Sequence, residues 1–506
     1  MYTGNPRILL LLSIMIEIVN IDQFLPELHT GQFILSRDPA CIPGQWSLFE
    51  KHGWVLGVNG LPVLPVMDES GVSRGLCLGY PVAGCGLCID SVTLPGSSTG
   101  SIAADSIEAF YADTGGQFVL VLLEENSQKV YLDPYGSLGV VFSVQQETVA
   151  STLTLVPGDI DWDGDLIDTL NMPASGFWIP SGLTARKSVS RLLPNHVLDL
   201  EHWTVERHWP LRPSDLAVNE QVDKGVATIT DCIKHTIGSV TEHYPVHMSL
   251  TAGRDARMLL ACARDHLSRV LFVTIAGPQD TIDTCIAARL AKKLGLEYRR
   301  VPVQLASDEE MLQWLDITGY ALGGEIWKIH KSLQGFDRHR AMLPGIAGEV
   351  GRAYYWRDGD SAGSALSAET LMKRAGLPAN GKILQTTTDW LDGLSEYNVY
   401  QILDLFYLEQ RLGCWAGPQH YGNTTSAFEL SPFNHRRIFT AMMQLPYQYR
   451  LEQQLANDVC RQRWPALLKY PVNRYTRRDR LRNKAMDFCR RTCSGIASIM
   501  RTVNPQ

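Results

Sequence analysis

A chain of 506 residues exceeds the span of one ordinary domain and predicts two or three, each able to bury a core of its own. With 45% hydrophobic and 20% charged residues, its composition excludes both a disordered polymer and a membrane-embedded bundle. The formal net charge of -7 singles out no class of partner.

Near the start, Arg7 precedes the apolar run ILLLLSIMI, which resembles the core of a signal peptide. Glu17 interrupts it, no small-residue cleavage site follows, and nine residues are too few to span a bilayer. A buried strand or helix is expected there, with no stable membrane anchor. Up to about residue 190 the chain reads as β-rich: FVLVLL, the polar EENSQK and then VYLDPYG predict a hairpin, and the GSS, DPYG and PAS clusters supply turns. Cys85 and Cys88 form a lone CxxC. A zinc site wants four ligands, commonly two such pairs, so these read as small buried hydrophobes and no metal is expected on them. The eleven cysteines are scattered and odd in number, which suits a reducing, cytoplasmic setting. DIDWDGD, from Asp159 to Asp165, mimics the first half of a calcium-binding loop, but Leu170 stands at the twelfth position and the flanks do not read as helical. A solvated acidic turn is expected.

From about Val222 the pattern changes to alternating strands and helices: VHMSL, ARMLLACARDHL, RVLFVTIAG, TCIAARLAKKLGL. This predicts βαβ units around a parallel sheet, hence an α/β fold. From about Ala368 the chain is mainly helical, with apolar residues at three- and four-residue spacing in YNVYQILDLFYLEQRLGCW and HRRIFTAMMQLP. The last stretch carries Arg474, Arg477, Arg478, Arg480, Arg482, Lys484, Arg490 and Arg491 against only Asp479 and Asp487. Without interleaved aromatics it reads as a solvated helical face and not as a nucleic-acid surface.

The sharpest local feature is SLTAGRDAR, from Ser249 to Arg257, a strand end running directly into a helix. A small, glycine-containing turn there lets backbone N–H groups approach an anion, and the helix dipole adds to the attraction. It is neither a Walker loop, lacking GK[ST], nor a GxGxxG dinucleotide turn. Arg254 and Arg257 at the helix start oppose the dipole at roughly a few tenths of a kcal/mol each, unless an anion lies between them. Their placement favours phosphate.

With those residues in view, LTAGRDA resembles the SGGxDS pyrophosphate loop of asparagine synthetases and other PP-loop ATP pyrophosphatases, with Thr251, Ala252, Gly253, Arg254, Asp255 and Ala256 in its positions. Thr251 keeps a hydroxyl, Gly253 and Asp255 match, and Ala252 and Ala256 depart from the pattern. VLFVTIAGPQDTIDTCIAARLAKKLGLEYRRVPV resembles the family's second strand and helix, with Asp283, Ile286 and Ala287 and then the LGL turn in order. LPGIAGEVGRAYY resembles its second nucleotide-contacting loop. The resemblance implies nucleotide contacts from Thr274 and Gly345, a metal-binding pair of Asp255 and Glu349, and catalytic roles for Glu349 and Arg352. Ile346 and Val350 replace acids of the family. FELSPFNHRRIFTAMMQLP resembles the segment that follows, with Phe428 and Leu430 where an acid and an arginine are usual.

The first part fits the same family, whose members begin with an N-terminal-nucleophile glutaminase: GGQFVLVLLEENSQKVYLDPYGSLGVVFS resembles its central hairpin, and SVSRLLPNHVLDLEHWTVERHW its exit. That enzyme needs a cysteine at the mature N-terminus. Residue 2 is Tyr2 and the nearest cysteine is Cys41, so the resemblance implies a relic without glutaminase activity, as in β-lactam synthetases and lasso-peptide cyclases. The implied organisation is a degenerate glutaminase-like domain over 1–190, a PP-loop domain with a helical C-terminal portion over 220–470, and a basic tail over 471–506. The implied activity is adenylation of a small-molecule or peptide carboxylate with ATP and Mg²⁺, then amide formation with ammonia or an amine. Ala256, Ile346 and Val350 keep open a nucleotide-binding or scaffold protein. A tRNA-modifying PP-loop enzyme is disfavoured because Cys262 stands alone near the loop. Nothing in the sequence fixes an oligomeric state.

Overall fold

The computed structural model describes residues 26–96, 102–277, 281–423 and 427–475. Tyr2, the apolar run over 8–16, and the tail over 476–506 with Cys489 and Cys493 lie outside the described residues.

The chain is mixed α/β. Its first half holds two sheets whose strands pair antiparallel except for Val63–Asp68 with Val92–Leu94. The expected hairpin is present as Gly115–Glu124 paired with Ser127–Leu132, closing at Glu124 opposite Ser127. The turn is therefore only Glu125 and Asn126, and the rest of the polar EENSQK is strand. Gly115–Glu124 is apolar without alternation because both of its faces are covered. Val119, Val121 and Leu123 pack with Phe33, Leu35 and Leu56 of the six-stranded sheet. Phe118, Leu120 and Leu122 pack with Ile107, Phe110 and Tyr111 of the helix Ala104–Asp113. The eight-stranded sheet runs on through His196–Asp199 and Thr204–Arg207, past residue 190.

The acidic run at 159–165 departs from expectation. Its flank is helical: Asp163 is buried and caps the helix Gly164–Leu170 by accepting from the Leu166 N–H, while Asp161 accepts from Arg186 and Ser188. Capping accounts for Asp163, while Asp159, Asp161 and Asp165 are exposed, as a solvated turn requires. The described cysteines are free thiols, most of them buried, but Cys85 is exposed, contrary to its reading as a buried hydrophobe.

The second half contains the expected parallel sheet. Its strands lie in the order Tyr298–Pro302, Val270–Ala276, Val246–Ser249, Ala341–Leu343, all parallel. Helices Val222–His243, Arg254–Cys262 and Ile282–Leu294 bury Ile229, Ile233, Met258, Leu259, Ile286 and Leu290 in one core with Met248, Phe272 and Leu343 of the strands. The chain moves outward over its first three strands and then returns to the other side of Val246–Ser249. The order of strands therefore reverses between Val246–Ser249 and Ala341–Leu343, the kind of crevice in which open α/β sheets bind ligands.

Beyond Ala368 the chain is helical as expected, with one feature the apolar spacing did not reveal: Phe406–Ala416 is wound as a π-helix. Such segments are rare and concentrate at functional sites. Glu409 within it is fully buried and receives both Arg207 Nη atoms, the Trp390 indole N–H and Asn195, which ties the exit of the first half to the second. Among the described residues no helix is long and apolar enough to cross a membrane.

Candidate functional site

Two turns leave neighbouring strand ends at the reversal. The first, Leu250–Gly253, leads into the helix Arg254–Cys262, which begins without a side-chain cap. It is braced by its own chain: Asp283 Oδ1 accepts from the Ala252 N–H at 2.8 Å, Thr251 Oγ1 from the Gly253 N–H at 3.1 Å, and the Ala252 carbonyl from the Asn473 N–H at 3.0 Å. The second, following Leu343, enters a 3₁₀ turn over Gly348–Arg352 bracketed by Ala347 at φ 78° and Ala353 at φ 53°. Left-handed backbone at two alanines is strain of the kind that clusters at functional sites.

The turns meet through Asp255. Arg352 Nη2 lies 2.5 Å from Asp255 Oδ2 and 3.1 Å from Glu349 Oε1, so one guanidinium bridges two carboxylates. Asp255 Oδ1 is buried with no hydrogen-bond partner. Burial and the nearby Glu349, outweighing Arg352 and Arg254, push the Asp255 carboxyl up to about 7. Arg254 is held below its usual range by burial and by Arg352. Asp255 and Glu349 thus face Arg352 and Arg254, a formally neutral cluster in which Asp255 Oδ1 is the acceptor left without a partner.

The glycines of the second turn make the approach possible. A Cβ on Gly348 would stand 2.4 Å from Asp255 Oδ1, and one on Gly345 would stand 3.2 Å from Asp255 Cβ. Gly348→Ala is therefore expected to push the two turns apart at about 1–3 kcal/mol of stability, read as a lowered unfolding midpoint. An unchanged midpoint would mean that the close approach is not maintained in solution.

Of the residues expected at the site, Arg254, Asp255, Gly345, Glu349 and Arg352 are brought together. Thr274 is not free for a ligand: its hydroxyl donates to the Leu250 carbonyl at the base of the first turn. Arg257 corrects the expectation of a second phosphate-facing cation. It is 3% exposed and its Nη1 and Nη2 donate to the carbonyls of Leu467, Tyr470 and Pro471. It therefore fastens the start of the expected tail, with Asn473, across the first turn.

Several supporting residues were not legible beforehand. Tyr407 of the π-helix is buried, and burial together with Glu349 pushes its phenol well up. Arg411, one turn on, lies 5.4 Å over Tyr354 and 5.0 Å over Trp415. Tyr407 and Arg411 sit four apart in a stretch read only for its apolar spacing. Arg450 donates to the Val350 carbonyl at 2.6 Å and Ser431 Oγ to the Ile346 carbonyl at 2.6 Å, so both positions are held through their backbone.

The paired acids and the unpartnered Asp255 Oδ1 form a donor set compatible with a magnesium ion. Among the described residues no three His, Cys, Asp or Glu side chains converge as a metal cage, so the remaining ligands would have to come from phosphate and water, as magnesium prefers. No protein-family model matches the chain, and no curated protein matches it.

Proposed function

We propose that this chain is an ATP-dependent amide-forming ligase of the asparagine-synthetase kind. In this reading the second half is a PP-loop domain, and the first a degenerate glutaminase-like domain that supplies no ammonia. One observation carries the reading: Asp255, Glu349, Arg254 and Arg352 converge at the C-terminal ends of the two strands between which the parallel sheet reverses its order.

The pyrophosphate of ATP would lie along the Thr251–Asp255 turn at the uncapped helix start. Asp255 and Glu349 would hold magnesium, which when bound neutralises phosphate charge and orients it for in-line displacement. Arg352 would exchange its carboxylates for phosphate oxygens, and with Arg254 meet the charge that builds on the leaving group. A substrate carboxylate oxygen bonds to the α-phosphorus as the bond to pyrophosphate breaks. The amine nitrogen then bonds to the acyl carbon, AMP leaves and the nitrogen gives up a proton. Release of pyrophosphate from ATP in the presence of candidate carboxylates tests this directly, and no release with any of them, together with no heat of ATP binding, would refute it.

The raised Asp255 carboxyl gives the site a pH signature. Cation binding requires the carboxylate, so magnesium-dependent ATP affinity is expected to rise with pH, by about tenfold per unit below a value near 7, and to level off above it. The sign for the empty protein is opposite. A carboxyl raised from the ordinary 3.8 to about 7 holds its proton in the native state across that interval, so its contribution to stability declines as pH rises through it. Calorimetric titration at several pH values reads the first effect; a flat profile would show that Asp255 does not titrate at the site.

The bridging position of Arg352 also favours a second reading, in which the arginine replaces the metal permanently and the chain binds nucleotide without turnover. Nucleotide binding that does not respond to magnesium, with no pyrophosphate release, would select it.

A further inference from the structure

A cleft of ≈ 450 Å³ lies on the seam between the two halves, walled by the helix Ala104–Asp113, the start of Val222–His243 and the helix Arg436–Met443. It shares no lining residue with the Asp255 cluster, and its size suits a small metabolite. Its charge runs against that of the chain: Lys224, Arg436 and Arg437 stand against Glu108, three positive to one negative, or +2, on a molecule of net charge -7.

Arg436 is the built part of the cleft. It is 5% exposed; Nη1 donates to Glu108 at 2.9 and 3.1 Å, and Nη2 lies 3.1 Å from His208 Nδ1. Burial and Arg436 itself drive the His208 imidazole well below its usual range, so the ring is neutral and accepts. The guanidinium carbon sits 3.8 Å from the Tyr111 ring and 5.2 Å from that of Trp209. Arg436 is thereby held rigidly in the cleft wall by its partners on both sides. Lys224 and Arg437 are exposed and enter no ion pair among the described residues. The helix Val222–His243 starts at the cleft with no side-chain cap, so its dipole adds to the positive potential. Trp209 and Leu445 supply an apolar floor.

We propose that this cleft binds a small organic anion bearing at least two negatively charged oxygens, a polycarboxylate or a phosphorylated metabolite. Glu108 already neutralises Arg436, so the ligand's charges are met by Lys224 and Arg437. The inference is independent of the nucleotide reading. Calorimetric titration of the full chain at low ionic strength with citrate, inorganic phosphate and acetate tests it. Saturable binding of citrate or phosphate is expected, with none of acetate; the tighter of the two identifies the ligand as carboxylate or phosphate. Lys224→Glu with Arg437→Glu should weaken that binding by about tenfold or more while the unfolding midpoint without anion does not fall, since both side chains are exposed and acids suit the first turn of a helix. Asp255→Ala should bind citrate and phosphate as the parent does, which separates this site from the other. Absence of saturable binding to the parent, acetate binding as tightly as either, or undiminished affinity in the double variant would each overturn the proposal.

Discussion

Asp255→Ala is expected to lower ATP-dependent pyrophosphate release by about a hundredfold or more while leaving the fold intact. The two halves of that expectation have separate causes. In the empty protein the carboxyl is a burden on the fold, buried, with one oxygen orphaned and its affinity for a proton raised. Its removal leaves Arg352 still paired with Glu349 at 3.1 Å. In the loaded protein the same group would hold the cation on which phosphate charge depends. Circular dichroism and an activity assay on one preparation check both, and retained turnover in the variant would count against the site.

The second large effect lies beneath the site. Arg450 is 1% exposed; its Nη atoms each reach the Asp404 carboxylate at 2.7 Å, and its guanidinium lies 4.5 Å over Trp356. Asp404 is itself buried, and burial pushes its carboxyl up despite Arg450. Arg450→Ala would leave that acid with the Trp356 indole N–H at 3.2 Å as its remaining hydrogen bond, and would release the Val350 carbonyl. A loss of about 3–5 kcal/mol is expected, read by denaturant unfolding, together with reduced turnover because Val350 lies between Glu349 and Arg352. Arg450→Met with Asp404→Leu should recover most of the stability, since no charge is then stranded, but not the turnover. A loss below about 1 kcal/mol for Arg450→Ala would show that the pair is solvated and is not a support for the turn.

Periodicity carried the coarse fold well. The unbroken FVLVLL run pointed to a strand, and the structure supplies the reason it does not alternate, a sheet on one face and a helix on the other. The change to strand and helix alternation near Val222 announced the parallel sheet because such strands are buried on both faces and read as short apolar runs. Local pattern could not reach what tertiary contacts decide. Nothing near Arg257 signals that it turns away to Leu467, Tyr470 and Pro471; Asp163, by contrast, carried the local signature of a helix start, an N-cap acid followed by Asp165 and by Leu166, Ile167 and Leu170 at helical spacing. At the site, Asp255 stood out through its glycine-containing strand-to-helix turn, and Glu349 only through the resemblance of its loop. Tyr407, Arg411 and Arg450 lie in helices whose spacing reports only which face is buried, so their approach to the second turn from other parts of the chain left no local trace.

The central claim is that the turn ahead of Ala256 holds the phosphates of a nucleotide. A crystal structure with a non-hydrolysable ATP analogue and magnesium measures this most directly. Phosphate oxygens within hydrogen-bond reach of the Thr251–Asp255 backbone, with Arg352 moved off Asp255 and a cation between Asp255 and Glu349, is the predicted result. Nucleotide bound elsewhere, or a turn still closed by the Arg352 bridge at saturating analogue, would contradict it.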